Sequence, residues 1–151
     1  MSKKYLVTGA AGFIASQVSK QLLDQGQRVV GVDNLNDYYD PALKLARLTR
    51  IKHLENFRFI KMDIADRDGM ANLFAEEQFT RVIHLAAQAG VRYSIKKPNM
   101  YFKSNMEGFF NILEVSRHNN IKHLIYASSS SVYGLNNKTP FSTNDSVDHP
   151  V

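Results

Sequence analysis

Short apolar segments alternate with longer amphipathic segments along this chain. Five segments of strand length are nearly continuous apolar runs: KYLVTG, RVVGVD, FRFIKMD, RVIHLAA and KHLIYASS. Between them, apolar residues recur every three to four positions, which predicts helices over residues 12–26, 41–52, 67–77 and 99–119. In the first helix the residues predicted to face the core are Phe13, Ile14, Val18, Leu22 and Leu23. Gly26 is predicted to end that helix.

The order of these elements predicts an α/β protein. Strands that are apolar at almost every position are typical of a parallel sheet covered by helices on both faces. Right-handed crossovers favour a doubly wound, Rossmann-like sheet with strand order 3-2-1-4-5. Ligands of such sheets lie at the carboxyl ends of the strands, by the switch point between strands 1 and 4. The residues at the strand ends are therefore the candidates for a functional site.

Composition bounds the class of protein. The 151 residues, 44% of them hydrophobic, suffice for one domain, expected over residues 1–151. The absence of cysteine excludes disulfides and a thiolate nucleophile and favours a reducing compartment, so a cytoplasmic location is expected. The N-terminal apolar run is interrupted by Thr8, Gly9 and Gly12, which is unlike a signal peptide or a membrane span. The five histidines lack metal-ligand spacing, and no metal is expected.

The net charge of +5 raises the question of a nucleic-acid partner. Basic residues are scattered, and the densest group alternates with leucines in the second predicted helix: Lys44, Arg47, Arg50 and Lys52. This pattern is typical of an amphipathic helix with a solvated basic face, and a polyanion site is the alternative. Neither a nucleic acid nor a membrane is expected as a partner.

The segment TGAAGFIA at the end of strand 1 is the strongest local motif. Gly9 and Gly12 allow a tight turn and the close approach of a pyrophosphate to the N-terminus of the next helix. A turn that merely needs two glycines is the alternative. Asp33 ends strand 2, 24 positions after Gly9, where a carboxylate would bind the ribose hydroxyls of adenosine. Because a carboxylate would repel a 2'-phosphate, NAD is favoured over NADP.

The remaining strand ends carry weaker signals. Asp63, at the end of strand 3, could accept a hydrogen bond from the adenine amino group or cap the following helix. Strand 4 ends in LAAQAG, whose small residues allow a dinucleotide to lie against the backbone, and strand 5 ends in a run of four serines.

As a set, these motifs resemble a known family, the extended short-chain dehydrogenases that epimerise or dehydrate nucleotide sugars. The segments TGAAGFIA, DNLN, MDIAD, HLAAQAGVRYS, SNMEGFFNILE and YASSSSVYG occur in the order and spacing of that family over the whole chain. Within it, VDNLNDYYDPALKLARL and AGVRYS are most similar to the UDP-glucuronate 4-epimerase branch. This resemblance implies tightly bound NAD, a UDP-uronate or related nucleotide-sugar substrate, and a homodimer formed by the complete protein.

The resemblance also implies roles for individual residues. The implied cofactor-binding residues are Gly9, Ala11, Gly12, Phe13, Ile14, Asp33, Asn34, Asn36, Asp63, Ile64, Leu85, Ala86, Ala87, Gln88, Asn105, Ala127 and Ser128. Ser129 would be the catalytic hydroxyl, bound to the oxygen at sugar C4 while a tyrosinate removes the proton. The residues implied to face the sugar are Arg92, Tyr93, Ser94, Ser129 and Ser130. A guanidinium suits a uronate carboxylate, although Arg92 could also be an ordinary surface arginine.

Two features narrow the implied chemistry. Related dehydratases have Asp and Glu at the two positions after the catalytic hydroxyl, where this chain has Ser130 and Ser131, so simple epimerisation is favoured. The family's base is a Tyr-x-x-x-Lys on the helix after strand 5. Tyr133 has Asn137 at the lysine position, and the match at Tyr93 and Lys97 follows strand 4 and precedes Pro98, so that segment is not expected to be helical.

The chain is therefore expected to stop before its catalytic base and its substrate-binding lobe. Several hypotheses about the function stay open. The parent enzyme could be a UDP-glucuronate 4-epimerase, a UDP-glucose 4-epimerase or a related dehydratase. The chain itself could instead be a catalytically silent NAD-binding fragment or a regulatory nucleotide-binding module, since fold alone does not determine function.

Overall fold

Five parallel strands form the centre of the chain in a computed structural model that describes residues 3–149. The strands are β1 (Lys4–Thr8), β2 (Arg28–Asp33), β3 (Phe57–Lys61), β4 (Arg81–His84) and β5 (His123–Tyr126). Their order in the sheet is β3-β2-β1-β4-β5, and every neighbouring pair is parallel. The predicted doubly wound α/β sheet is confirmed, with the switch point between β1 and β4.

Helices connect consecutive strands. They are α1 (Phe13–Asp24), α2 (Pro41–Thr49), α3 (Arg67–Glu77), α4 (Val91–Lys96), α5 (Pro98–Tyr101) and α6 (Phe109–His118). A π-helical segment, Phe102–Gly108, joins α5 to α6, and a short 3-10 helix, Ser130–Tyr133, follows β5. The helix predicted over residues 99–119 is thus one helical run with a π-helical turn inside it, a feature that often occurs at functional sites.

The core consists of two apolar layers, one on each face of the sheet. One layer packs alternate strand residues such as Leu6 and Val82 against α3 and α6, through Phe74 and Ile112. The other layer packs the opposite strand residues, including Val7 and Val29, against α1 and α2. Because successive strand side chains point to opposite faces, a continuous apolar strand feeds both layers.

The predicted inner face of α1 is wrong at its first turn. Phe13 and Ile14 are 73% and 64% exposed, and the residues that face the sheet are Ala15, Ser16, Ser19 and Leu23. Small residues on this face let the helix lie close to the strands. The first turn extends past the end of the sheet, so its large side chains border the space beyond the strands instead of the core.

A stripe of large apolar side chains remains exposed along the helical run after β4. It includes Phe102, Met106 and Phe110, spaced four residues apart so that they share one side of the run. Ile125 and Tyr126 of the edge strand β5 are also exposed. An apolar stripe of this kind is suited to covering by another polypeptide surface. The expected homodimer contact of the complete protein stays a prediction.

Gly31, in the middle of β2, has no room for a side chain. A Cβ there would lie 2.7 Å from Ala10 Cβ and 2.9 Å from Phe57 Cε2. We therefore expect Gly31→Ala to lower the free energy of unfolding by about 1–3 kcal/mol through overpacking, measured by urea denaturation. Gly26→Asn is the control, because Gly26 has a φ of +71° that Asn tolerates and nothing lies within 4 Å of its Cβ position. Equal losses in the two variants would contradict the packing argument.

Candidate functional site

A groove of about 570 Å³ lies at the carboxyl ends of the strands, over the switch point. Its walls come from the segments that follow all five strands. Most of the predicted cofactor residues line it: Gly9, Gly12, Phe13, Ile14, Asp33, Asn34, Asn36, Asp63, Ile64, Leu85, Ala86, Ala87, Gln88 and Ala127. Three predicted residues are not in its lining, Ala11, Asn105 and Ser128. The groove thus runs across the ends of all five strands, as the site of a dinucleotide does in doubly wound sheets.

The turn between β1 and α1 has no space for side chains at its two glycines. Gly9 has a φ of +70°, and a Cβ there would lie 3.0 Å from backbone atoms of Leu85 and Ala86. A Cβ at Gly12 would lie 2.9 Å from the carbonyl oxygen of Gly9. Gly12 also precedes α1, whose first N–H groups no side chain caps. A bare turn before an uncapped helix N-terminus fits a pyrophosphate.

Asp33, at the end of β2, is buried beside this turn and is 7% exposed. Its Oδ2 accepts a hydrogen bond from the N–H of Ala11 at 3.1 Å, and its Oδ1 accepts one from the N–H of Leu35 at 2.8 Å. Ala11 therefore lies beneath the groove, where it holds the carboxylate rather than a ligand. These bonds link the end of β2 to the glycine turn and fix the position of the carboxylate.

Lys44 of α2 contradicts the predicted solvated basic face. The residue is only 5% exposed, and its Nζ donates to Asn36 Oδ1 at 2.9 Å and lies 3.4 Å from Asp33 Oδ1. The ammonium thus neutralises the Asp33 carboxylate inside the groove wall. Sequence reasoning missed Lys44 because it was grouped by charge. The available signal was its spacing of four residues from Leu48, which places both on the inner face of the helix.

Arg47, one turn further along α2, also lines the groove. Its Nη1 donates to the Tyr39 hydroxyl at 2.9 Å and to the carbonyl oxygen of Ala11 at 3.4 Å. Its guanidinium lies 5.8 Å from the centre of the Phe13 ring. A cation is therefore held against the turn that precedes α1. Arg47 is half-buried, so the prediction of a solvated side chain holds only in part here, whereas Arg50 and Lys52 are exposed as predicted.

Asp63 lies at the opposite end of the groove, after β3. Its Oδ1 accepts a hydrogen bond from the N–H of Ala65 at 3.0 Å, and its Oδ2 lies 3.3 Å from Lys103 Nζ. Burial by itself would raise the pKa of Asp63, but the hydrogen bonds from Ala65 and Lys103 and the charge of Lys103 lower it below its ordinary value. The carboxylate is therefore ionised at neutral pH and available as an acceptor.

The alternative role for Asp63, as the cap of the next helix, is wrong. Asp66 precedes α3, and its side chain accepts a hydrogen bond from the N–H of Gly69 at 3.0 Å. Because Asp66 satisfies this end of the helix, Asp63 is left to the groove.

Asn105 lies outside the groove lining but controls one of its walls. Its Oδ1 accepts a hydrogen bond from the N–H of Gln88 at 2.8 Å, and its Nδ2 donates to the carbonyl oxygen of Gln88 at 2.9 Å. Both ends of the amide are thus used on one backbone unit of the loop after β4. Asn105 sits in the π-helical segment. The structure therefore places it as a support for Gln88, which itself lines the groove.

Thr8 and His84 form a buried pair beneath the groove that sequence reasoning did not identify. Thr8 ends β1 and His84 ends β4, and the two residues are paired in register. Thr8 Oγ1 lies 2.7 Å from His84 Nδ1. Burial lowers the pKa of His84 to about 4. The signal in the sequence was a polar residue at the last position of each central strand.

The serine run lies in an exposed loop after β5. Ser129 Oγ accepts a hydrogen bond from the N–H of Ser131 at 3.2 Å, which starts the 3-10 helix, and Ser128 and Ser130 are exposed. Ala127, just before the run, lines the groove and donates its N–H to the carbonyl oxygen of His84. The serines thus follow directly from one end of the groove.

The predicted sugar-facing residues lie in α4, after β4. Arg92 is exposed, and the Ser94 hydroxyl donates to the carbonyl oxygen of Val91 at 2.6 Å. The Tyr93 ring packs against Tyr38, with ring centres 4.8 Å apart. The loop after β2 and the helix after β4 therefore meet through an aromatic contact at the groove's edge.

The expectation that the segment with Tyr93 and Lys97 is not helical is wrong. Val91–Lys96 is helical, and the N–H of Lys97 donates to the carbonyl oxygen of Tyr93 at 2.8 Å. Pro98 affects only the last residue, because it excludes Lys97 from helical geometry and then begins α5 itself.

Clusters of metal-ligating side chains and membrane-spanning helices are both absent from residues 3–149. Groups of three or more His, Cys, Asp or Glu side chains able to hold a metal ion do not occur in this range. None of the helices in it is long and apolar enough to cross a membrane.

The family model described as GDP-mannose 4,6 dehydratase, from the NAD-dependent epimerases and dehydratases, matches residues 6–150. The chain belongs to this family. Its members include nucleotide-sugar epimerases, and the fold described above is that of their N-terminal domains. The predicted resemblance is confirmed at the level of the family.

Relatives with long matches cover almost all of this chain. An uncharacterized 37.6 kDa protein of Escherichia coli O111:H- is 62% identical over 98% of the chain and 44% of its own length. UDP-glucuronate 4-epimerase 3 of Arabidopsis thaliana is 50% identical over 97% of the chain and 34% of its own length. The crystal structure of UDP-glucuronic acid 4-epimerase from Bacillus cereus, in complex with UDP-glucuronic acid and NAD, is 33% identical over 98% of the chain and 46% of its own length, with a TM-score of 0.85. The chain thus spans less than half of each of these proteins.

The buried His84 should make stability depend on pH. Its pKa is about 4 in the folded chain and near 6.5 when unfolded, so between these values only the unfolded state takes up the proton. We expect the free energy of unfolding to decrease by roughly 3 kcal/mol as the pH falls from about 6.5 to 4. Urea denaturation of the wild type and of His84→Asn, across this range, measures the effect as their difference. A difference that does not change with pH would contradict it.

Proposed function

We propose that this chain is the NAD-binding part of a nucleotide-sugar 4-epimerase whose substrate is UDP-glucuronate. The observation that carries the proposal is the groove, which connects Asp63, the bare glycine turn and Ala127 before the serine loop. The relation to UDP-glucuronate 4-epimerases supports the substrate. The match to less than half of each relative supports a further part that supplies the rest of the substrate site.

The groove residues fit NAD. When bound, NAD would accept a hydride from the sugar and return it. The glycine turn would receive the pyrophosphate, and Asp63 and Ile64 would contact the adenine. Asp33 would accept hydrogen bonds from the ribose hydroxyls, because Ala11, Leu35 and Lys44 hold its carboxylate in place. A carboxylate at this position disfavours the 2'-phosphate of NADP.

Arg47 supports an anionic ligand at the turn. Within residues 3–149 its hydrogen-bond partners are a hydroxyl and a carbonyl oxygen, so its charge is not compensated by an acid there. Lys44, in contrast, is paired with Asp33. We therefore assign Arg47 to the pyrophosphate, in addition to the uncapped N-terminus of α1.

On the substrate side, Ser129 would donate a hydrogen bond to the oxygen at C4 of the sugar and relay its proton. The neighbouring Ser130 and Ser131 offer hydroxyls where an elimination would need an acid and a base, which favours epimerisation over dehydration. Arg92 is exposed and free to meet a uronate carboxylate. Tyr93 and Ser94, beside it on α4, would border the sugar.

The catalytic base is proposed to come from outside this sequence. The only Tyr-x-x-x-Lys in the chain is at Tyr93 and Lys97. There the Tyr93 ring packs against Tyr38 and Tyr101, on the helix after β4. A tyrosine held in that cluster follows β4, whereas the serine loop follows β5, so we assign it a role in the groove's edge.

The proposed function is tested on the complete gene product. Native mass spectrometry is expected to show retained NAD, and incubation with UDP-glucuronate is expected to give its C4 epimer by NMR. Ser129→Ala should lower kcat by about a hundredfold or more, because the C4 proton relay is lost. Ser131→Ala is the matched control, since it keeps the backbone N–H that Ser129 accepts from. A dehydrated or decarboxylated product would contradict epimerisation. Faster turnover of UDP-glucose than of UDP-glucuronate would contradict the proposed substrate. Purified protein without a bound dinucleotide would contradict the whole proposal.

Arg47 provides a separate test of cofactor placement. We expect Arg47→Gln to weaken NAD binding by about tenfold, because one charge-assisted contact with the pyrophosphate is removed. Arg50→Gln, on the exposed side of the same helix, is the control and should bind NAD as the wild type does. Calorimetric titration at two salt concentrations measures both. Equal affinities for the two variants would place the pyrophosphate away from Arg47.

A further inference from the structure

Thr8 Oγ1 is the meeting point of three hydrogen bonds at the switch point. It lies 2.7 Å from His84 Nδ1, and it accepts hydrogen bonds from the N–H groups of Leu85 and Ala86, each at 3.1 Å. Thr8 is fully buried and His84 nearly so. One hydroxyl therefore organises the first two residues of the loop that follows β4.

The numbers of donors and acceptors on a hydroxyl determine which neighbour receives its hydrogen. A threonine hydroxyl has one hydrogen and two lone pairs, and here both lone pairs receive backbone N–H groups. The hydrogen must therefore be donated to His84 Nδ1. That nitrogen is an acceptor, so the neutral imidazole carries its hydrogen on Nε2. A protonated His84 would direct a third N–H group at the same oxygen, in addition to those of Leu85 and Ala86, and burial disfavours that form.

The Thr8 contacts lie where one side of the groove meets the other. The loop after β4 curls around the Thr8 hydroxyl, which brings the backbone of Ala86 to within 3.0 Å of the Cβ position of Gly9. Gly9 begins the turn on one side of the groove, and Leu85 and Ala86 line the other. A change in the Thr8 contacts would therefore move one wall relative to the other.

His84 also reaches the segment that leads to the serines. Its ring stacks on Phe109 at the start of α6, with ring centres 5.4 Å apart and planes 11° from parallel. Its carbonyl oxygen accepts a hydrogen bond from Ala127, the groove residue two positions before Ser129. One residue thus contacts the end of β1, the helix after β4 and the end of β5.

We propose that Thr8 and His84 are positioning residues for the cofactor: the neutral imidazole orients the Thr8 hydroxyl, which holds the loop after β4 at the spacing that a dinucleotide requires. This inference rests on the proposed NAD site and adds two residues that lie beneath it. Neither side chain lines the groove. They act through the backbone of Leu85 and Ala86.

Matched substitutions in the complete gene product test the proposal. Thr8→Val keeps the shape but removes the hydroxyl and leaves two backbone N–H groups without an acceptor, so NAD affinity should fall by about tenfold or more. Thr8→Ser keeps the hydroxyl and should recover most of the affinity. At the other partner, His84→Asn places an oxygen where Nδ1 lies, whereas the amide of His84→Gln is one bond further away. Asn should therefore bind NAD more tightly than Gln.

A spectroscopic measurement on the unmodified protein separates positioning from general stability. The ¹⁵N shifts of the His84 ring should show hydrogen on Nε2 and an unprotonated Nδ1 at neutral pH. Hydrogen on Nδ1 would overturn the proposal without any variant, even if Thr8→Val fails to fold. Wild-type affinity in a folded Thr8→Val, or equal affinities for the Asn and Gln variants, would overturn it while leaving the NAD site intact. A wild type without NAD affinity would instead contradict the proposed function and, with it, this inference.

Discussion

The close approach of two backbones at the switch point is the constraint on which the groove depends. Gly9 and Ala86 come from the ends of β1 and β4, and no side chain fits between them. That contact requires glycine at the turn, small residues after β4, and a polar group that can satisfy the buried N–H groups there. Thr8 meets the last requirement. The neutral His84 in turn accepts the one hydrogen bond that the Thr8 hydroxyl can donate.

Charge in the groove follows a simple arrangement. Asp33 is paired with Lys44 near the glycine turn, and Asp63 is paired with Lys103 at the far end. Each pair limits the net charge of the groove wall. Arg47 adds a positive charge beside the first turn of α1, where its guanidinium lies against the Phe13 ring. The groove is thus suited to a ligand whose hydroxyls face the carboxylates and whose phosphates face Arg47 and the glycine turn.

The fold was largely predictable because its signals are local. Continuous apolar strands and alternating helices are sufficient for a doubly wound sheet, and crossover handedness leaves few strand orders. Predictions that placed a side chain in solvent or in the core by its residue type alone were less reliable. Lys44 and Arg47 were placed in solvent because they are charged, and Phe13 and Ile14 in the core because they are apolar. Phe13 and Ile14 border the groove because the first turn of α1 extends past the sheet, whereas Lys44 and Arg47 contact groove residues beside α2.

The sequence by itself determined the order of strands and helices, the bare glycine turn and the acidic residues at two strand ends, because each depends on neighbours close along the chain. Only the tertiary structure decided the roles of Thr8 and His84, which are 76 positions apart and meet through strand pairing. The same holds for Asn105, whose contact with Gln88 depends on a π-helical turn. Such contacts arise from packing between distant segments, and no local pattern encodes the distance between them.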